Sequence, residues 1–100
     1  MRLLNKNSHV HLVGIGGVSM SGIAKVLAQR GYKVSGSDLN ESKYIGLLSD
    51  YPIEIYIGHN KSNIKGADLI VKTSAVPDDN PEITAAKKAD IPILKRAEML

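Results

Sequence analysis

HLVGIGGVSMSGIAKVL, residues 11–27, is the stretch on which the fold turns. An apolar run ends at Val13, three glycines (Gly14, Gly16 and Gly17) fall within the next four positions, and a helical pattern follows at once. In that pattern Met20, Ile23, Ala24 and Leu27 stand at i, i+3, i+4 and i+7, one face of a helix. A strand that turns through glycine into a helix is the opening of a βαβ unit. Such a turn brings unpaired helix N–H groups to the strand end, where they hold an anion without any cationic side chain.

Working outward, the same alternation continues. The first strand is His9 to Val13, and the helix from Val18 to Arg30 stops at Gly31. Lys33 to Ser37 reads as a second strand ending at Asp38, followed by a short helix capped by Asn40 or Ser42 and running to Leu48. Pro52 opens a third strand, Ile53 to Ile57, closed by Gly58, and Ile64 to Gly66 reads as a turn. Leu69 to Lys72 is a fourth strand whose continuous apolar run predicts burial on both faces. Asn80-Pro81-Glu82 starts a helix: Asn caps, Pro fits the first turn and Glu favours the positive end of the dipole. That helix is expected to end near Ala89, before a short fifth strand at Ile91 to Leu94. Arg96 to Leu100 reads as the first turn of a further helix, so the chain is expected to be a piece of a longer protein. Strands alternating with helices predict the α/β class: a Rossmann-like three-layer domain with a five-stranded parallel sheet.

Composition narrows the function classes. One hundred residues, 43% of them apolar, suit a single domain with a modest core. The absence of cysteine excludes disulfides and thiolate metal sites and fits a reducing compartment, so a cytoplasmic location is expected. Met1 to Ser8 lack the apolar core of a signal peptide, and no run approaches a membrane span, so a soluble domain with no membrane partner is expected. The net charge of +3 is mild, the lysines are scattered and all four aromatics are tyrosines, which leaves no basic, stacking surface for nucleic acid.

In parallel α/β sheets ligands bind outside the carboxyl ends of the strands. Those ends are Gly14 to Ser19, Asp38, Gly58-His59, Thr73 to Val76 and Lys95-Arg96. The glycine turn suits a phosphate or pyrophosphate, or simply lets the strand enter the helix. The dinucleotide fingerprint G-x-G-x-x-G is incomplete, because its third glycine position is Ser19. Asp38 either hydrogen-bonds a ribose diol or shapes the strand-to-helix turn. Lys72-Thr73 lacks the upstream glycines of a triphosphate-binding loop. His9 and His11 share one face of the first strand and read as structural or surface residues. His59 either contacts a base or sugar or serves its turn, with no acidic or histidine partner at metal-ligand spacing. Thr73-Ser74-Ala75 lets a ligand come near the backbone. Asp78-Asp79-Asn80 reads as turn and cap, and Arg96 as a partner of a phosphate or of a local acid.

HLVGIGGVSMSGIAKVL, GYKVSGSD, IYIGH, KTSAVPDDNPEI and PILKRAEML, in that order and spacing, together resemble the first domain of the Mur ligase family, from Ser8 to Leu100. The resemblance implies an ATP-dependent amide ligase of three domains, of which this is the Rossmann-like domain that holds UDP-N-acetylmuramate. The central domain would carry the triphosphate loop, Mg²⁺ and the catalytic residues, and the third would complete the ATP and amino-acid sites, both beyond Leu100. In the implied reaction the lactyl carboxylate becomes an acyl phosphate that the amine of L-alanine attacks. Carried over, Gly14, Ile15, Gly16, Gly17, Val18, Ser19, Met20 and Ser21 would hold the diphosphate. Asp38, His59, Ser74 and Ala75 would line the uridine side, with Arg96 as a further candidate. No catalytic or metal-binding residue is implied here, and this part alone is expected to be inactive. Ser19 departs from the pattern where relatives often carry a third glycine. A related ligase that adds recycled peptide shares this pattern, so the acceptor stays open. The competing readings are a NAD-binding domain of an oxidoreductase and a non-enzymatic nucleotide-sensing module.

Overall fold

The structure, a computed structural model, describes residues 7–96. Five strands, β1 (His9–Val13), β2 (Lys33–Asp38), β3 (Ile53–Ile57), β4 (Leu69–Lys72) and β5 (Ile93–Lys95), form one sheet in the order β3-β2-β1-β4-β5. Every pairing is parallel. Helices α1 (Val18–Gln29), α2 (Lys43–Gly46) and α3 (Pro81–Lys88) and a 3-10 turn at Lys61–Ile64 make the crossovers. The expected α/β, Rossmann-like class with a five-stranded parallel sheet is the observed one. No helix among the described residues is long and apolar enough to cross a membrane.

Side chains alternate between two buried layers, because successive strand residues point to opposite faces. Val10, Leu12, Val34, Leu69 and Val71 pack under α1 with Met20, Ala24, Leu27 and Leu48. On the other face Val13 and Ile70 pack with Ile64, Ala67, Ile83 and Ala86, which belong to α3 and the connection after β3. Each fully buried aliphatic side chain contributes about 2 kcal/mol by leaving water, so both layers are needed to hold so short a chain together. Ile15 belongs to the first layer despite lying in the glycine turn: a Cβ on Gly36 would overlap its side chain, so Gly36 is what lets it tuck in.

Three expectations shift in detail. β5 begins at Ile93 rather than Ile91, because the Ile91 N–H is tied back to Ala86 O at 2.9 Å and Pro92 has no N–H to give the ladder. Where only a turn was expected, the segment before Gly66 makes a 3-10 turn, begun by the Asn60 side chain accepting from Ser62 N. Helix α2 is shorter than expected, ending at Gly46; its cap is Ser42, whose hydroxyl accepts from Ile45 N at 3.3 Å. The helix expected from Arg96 lies outside the described residues after Arg96 itself, as do Met1 to Lys6.

The strand order reverses between β1 and β4, with α1 leaving β1 towards β2 and α3 leaving β4 towards β5. The crevice at the carboxyl ends of those two strands is where ligands sit in sheets of this kind.

Candidate nucleotide-binding site

The glycine turn is held almost entirely by the protein itself. Gly14 has φ +89°, open to glycine at little cost, and the Gly14 and Ile15 amides both donate to Ser37 O, at 2.8 and 3.0 Å. Gly17 N donates to Gly14 O at 3.2 Å. Gly16 N donates to the Asp38 carboxylate at 2.8 Å, and Gly16 O accepts from the Ser42 hydroxyl at 3.0 Å. A Cβ on Gly16 would stand 2.7 Å from Asp38 Oδ2, so only glycine allows this clamp between the turn and the end of β2.

The donors that remain lie one step further on. Gly17 caps α1 with no side chain, and the first α-helical bond is Ser21 N to Gly17 O at 2.9 Å. The amides of Val18, Ser19 and Met20 therefore have no intrahelical acceptor and lie at the positive end of the helix. Val18 and Ser19 are exposed, whereas the side chains of Ile15 and Met20 are in the core and Ser21 Oγ turns back to Val18 O at 3.1 Å. Of the residues from Gly14 to Ser21, four shape the turn with their amides and three offer open amides.

Asp38 accepts from two backbone amides, Gly16 and Leu39, both at 2.8 Å, so of its two anticipated roles the turn-shaping one is visible. It also lines a cavity of about 470 Å³ at the carboxyl ends of the strands, with Gly14, His59, Thr73, Ala75 and Asn80. A second cavity of about 610 Å³ shares His59, Asp79 and Pro81 with the first and continues along α3 to Lys88. Ser74 and Arg96 meet elsewhere, in a recess of about 100 Å³ with Thr73 and Lys95. The loop after β4 is anchored by Lys72, which is only 9% exposed and donates to Val76 O at 3.0 Å and to Asp78 at 3.4 Å.

Glu82 is the residue whose importance the sequence hid. Its position on the first turn of α3 suggests a dipole partner, yet it is 0% exposed. One carboxylate oxygen accepts from His11 Nε2 at 2.6 Å and Ser37 Oγ at 2.7 Å. The other accepts from Asn63 Nδ2 at 3.0 Å, Asn60 N at 3.1 Å and His59 Nδ1 at 3.3 Å. Burial pushes its carboxyl up, but hydrogen bonds from His11, Ser37 and Asn63 and the charge of His11 outweigh this and hold it at about 2. His59 thus has an acidic partner after all, reached across the fold rather than by local spacing. Among the described residues no cluster of three or more His, Cys, Asp or Glu is arranged to hold a metal ion.

The network continues through the sheet. His11 Nδ1 and His9 Nε2 both meet Ser35 Oγ, at 2.7 and 2.6 Å. Both histidines are buried, so their role is structural rather than at the surface, and burial lowers the pKa of His9. A signal was present: His9, His11, Ser35 and Ser37 are polar at a period of two on the face that β1 and β2 share, in register His11 to Ser35 and Val13 to Ser37. The crossover from β3 to β4 contains only the 3-10 turn, and on this face it is Glu82 of α3 that meets His11 and Ser37.

With the geometry described, similarity to known proteins can be stated. A family model described as the catalytic domain of the Mur ligase family matches residues 9–100. UDP-N-acetylmuramate–L-alanine ligase of Clostridium acetobutylicum is 53% identical over 91 residues, covering 91% of this chain and 20% of the relative. The crystal structure of the UDP-N-acetylmuramate-alanine ligase MurC of Thermotoga maritima superposes with a TM-score of 0.87 at 38% identity, covering 91% of this chain and 21% of that one. The UDP-N-acetylmuramate:L-alanyl-gamma-D-glutamyl-meso-diaminopimelate ligase of Neisseria meningitides has a TM-score of 0.83 at 25% identity, covering 93% of this chain and 30% of that one. The chain spans about a fifth of the length of the curated relatives it matches. On the match across nearly all of its length, the chain belongs to the Mur ligase family.

Proposed function

We propose that this chain is the UDP-N-acetylmuramate-binding domain of an ATP-dependent ligase that joins L-alanine to that nucleotide sugar in peptidoglycan precursor synthesis, in the cytoplasm. The observation that carries the reading is the uncapped first turn of α1, with open amides at Val18, Ser19 and Met20 beside the strand-order reversal. These amides hold the diphosphate, while Gly14, Gly16 and Gly17 keep the turn in shape. Asp38, His59 and Ala75 face the nucleoside side, with Ser74 and Arg96 at its margin. L-Alanine as acceptor is supported by 53% identity to a ligase named for it, against 25% to the peptide-adding enzyme.

ATP and Mg²⁺ do not fit the described residues, since the sequence has no glycine-rich Lys-Ser or Lys-Thr loop and, among the described residues, there is no cluster of metal ligands. We assign them, with the catalytic groups, to the remaining domains of a protein of the relatives' length. One domain contributes only part of the closed site, so this chain alone binds the nucleotide weakly and turns nothing over.

An amide NMR titration with UDP-N-acetylmuramate, UDP and NAD tests the binding reading. Saturable shifts at Val18 to Met20, Gly14 and His59 with both uridine compounds are expected. A response confined to NAD would replace it with a dinucleotide-binding domain.

A further inference from the structure

We propose that Glu82 is a positioning residue of the nucleotide pocket: with Ser37 it holds His59 as the Nδ1–H tautomer, so that Nε2 meets the ligand as a hydrogen-bond acceptor. The inference rests on the uridine nucleotide reading for its ligand and on geometry alone for its tautomer.

The proton directions follow from counting donors. An ionised carboxylate only accepts, and Glu82 accepts from groups that have no alternative role, the Asn60 backbone N–H at 3.1 Å and the Asn63 amide nitrogen at 3.0 Å. Ser37 has one O–H, and it is directed to Glu82 at 2.7 Å. Ser37 Oγ therefore has only lone pairs left for His59 Nδ1, 2.8 Å away, so the proton of that contact belongs to the imidazole. The second contact of the same nitrogen, to Glu82 at 3.3 Å, also requires Nδ1 to donate. One ring nitrogen carries the proton in neutral histidine, and the partner of that nitrogen sets which one it is.

Nε2 makes no hydrogen bond within the described chain, and His59 lines both cavities with its side chain 13% exposed. The consequence is a pocket of divided polarity. Backbone donors at Val18 to Met20 suit phosphate oxygens, whereas an acceptor at His59 suits a neutral N–H or O–H and repels an anion. In a uridine nucleotide that donor is the uracil imide N–H or a ribose hydroxyl. Glu82 never touches the ligand in this arrangement. It also binds Asn60 N, so one buried carboxylate locks both the ring and the backbone that follows it.

The tautomer is read directly from long-range proton–nitrogen correlations of the histidine rings in the labelled, ligand-free chain at neutral pH, with His59 assigned by His59→Gln. A protonated Nδ1 and a bare Nε2 are expected. In Glu82→Gln the side-chain amide competes as a donor, the tautomers mix, and UDP binds more weakly by the fraction of competent tautomer lost, about twofold for an even mixture. Against UDP, N3-methyl-UDP and the 2′- and 3′-deoxy analogues separate the two donor sources, and one of them is expected to bind about tenfold more weakly. A protonated Nε2 in the unmodified chain, an unchanged tautomer in folded Glu82→Gln, or equal affinity for every analogue would overturn the proposal. Failure of unmodified UDP to bind would instead sink the uridine reading, while the ligand-free spectrum, which needs no variant, still judges the tautomer.

Discussion

Gly16 shows how much a single position carries in this turn. Its amide reaches Asp38 at 2.8 Å, its carbonyl receives Ser42, and its missing Cβ is what brings the three groups together. Gly16→Ala places a methyl 2.7 Å from the carboxylate oxygen and 3.1 Å from Ser42 Oγ, so the clamp has to open. A loss of about 1–3 kcal/mol in a urea titration is expected, from crowding and from the amide left without its partner. Weakened UDP binding should accompany it, because the start of α1 moves with the turn; unchanged stability would mean that the clamp is slack. Asp38 was legible in the sequence as a strand-end acid, but which hydrogen bond it makes was not, because its partner lies 22 residues upstream.

Among the elements, α3 supplies the buried carboxylate and lines both cavities. Asn80 accepts from Glu82 N at 2.9 Å, Pro81 fills the first turn, and Lys87 and Lys88 stand in the last turn near the negative end of the dipole. These signals are local in sequence, which is why both the start of the helix and its approximate end could be read from it. Asn80→Ala removes the cap and should cost about 1 kcal/mol in thermal or urea unfolding. Because Glu82 sits on the same turn, the variant's largest amide shifts are expected at His59, Asn60 and Asn63 rather than at the far end of α3. Shifts confined to α3 would show that the cap and the network act separately. The shortened third crossover was less legible: four residues of 3-10 helix have no periodicity to detect, and Asn60 caps them through a contact that polar loop residues also make elsewhere.

For the whole molecule the buried polar layer sets the response to acid. Glu82 lies at about 2 in the fold against 4.5 for the free group, so its contribution is complete above pH 4.5 and is lost as pH falls towards 2. The size is about 3 kcal/mol, a large share of the stability of a short domain. His9 acts in the same direction from below pH 6.5, since burial makes its protonation easier in the unfolded chain than in the fold. Urea midpoints should therefore decline modestly from pH 7 to 5 and steeply from pH 4.5 to 2, and Glu82→Gln should flatten the steep part. A parent curve already flat between pH 4.5 and 2 would contradict the ionised, hydrogen-bonded carboxylate. Much else at this scale was open to reading from the chain. Apolar periodicity, caps and glycines are short-range signals, and they sufficed for the strands, the principal helices, the parallel sheet class and the glycine turn between β1 and α1. The division of the turn's amides into engaged and open, the carboxylate beneath His59, and the joining of His9, His11, Ser35 and Ser37 into one buried layer came only with folding. Each depends on strands and a helix separated by 22 to 71 residues being packed face to face, and hydrogen-bond partners at such distances leave no spacing for a sequence to display.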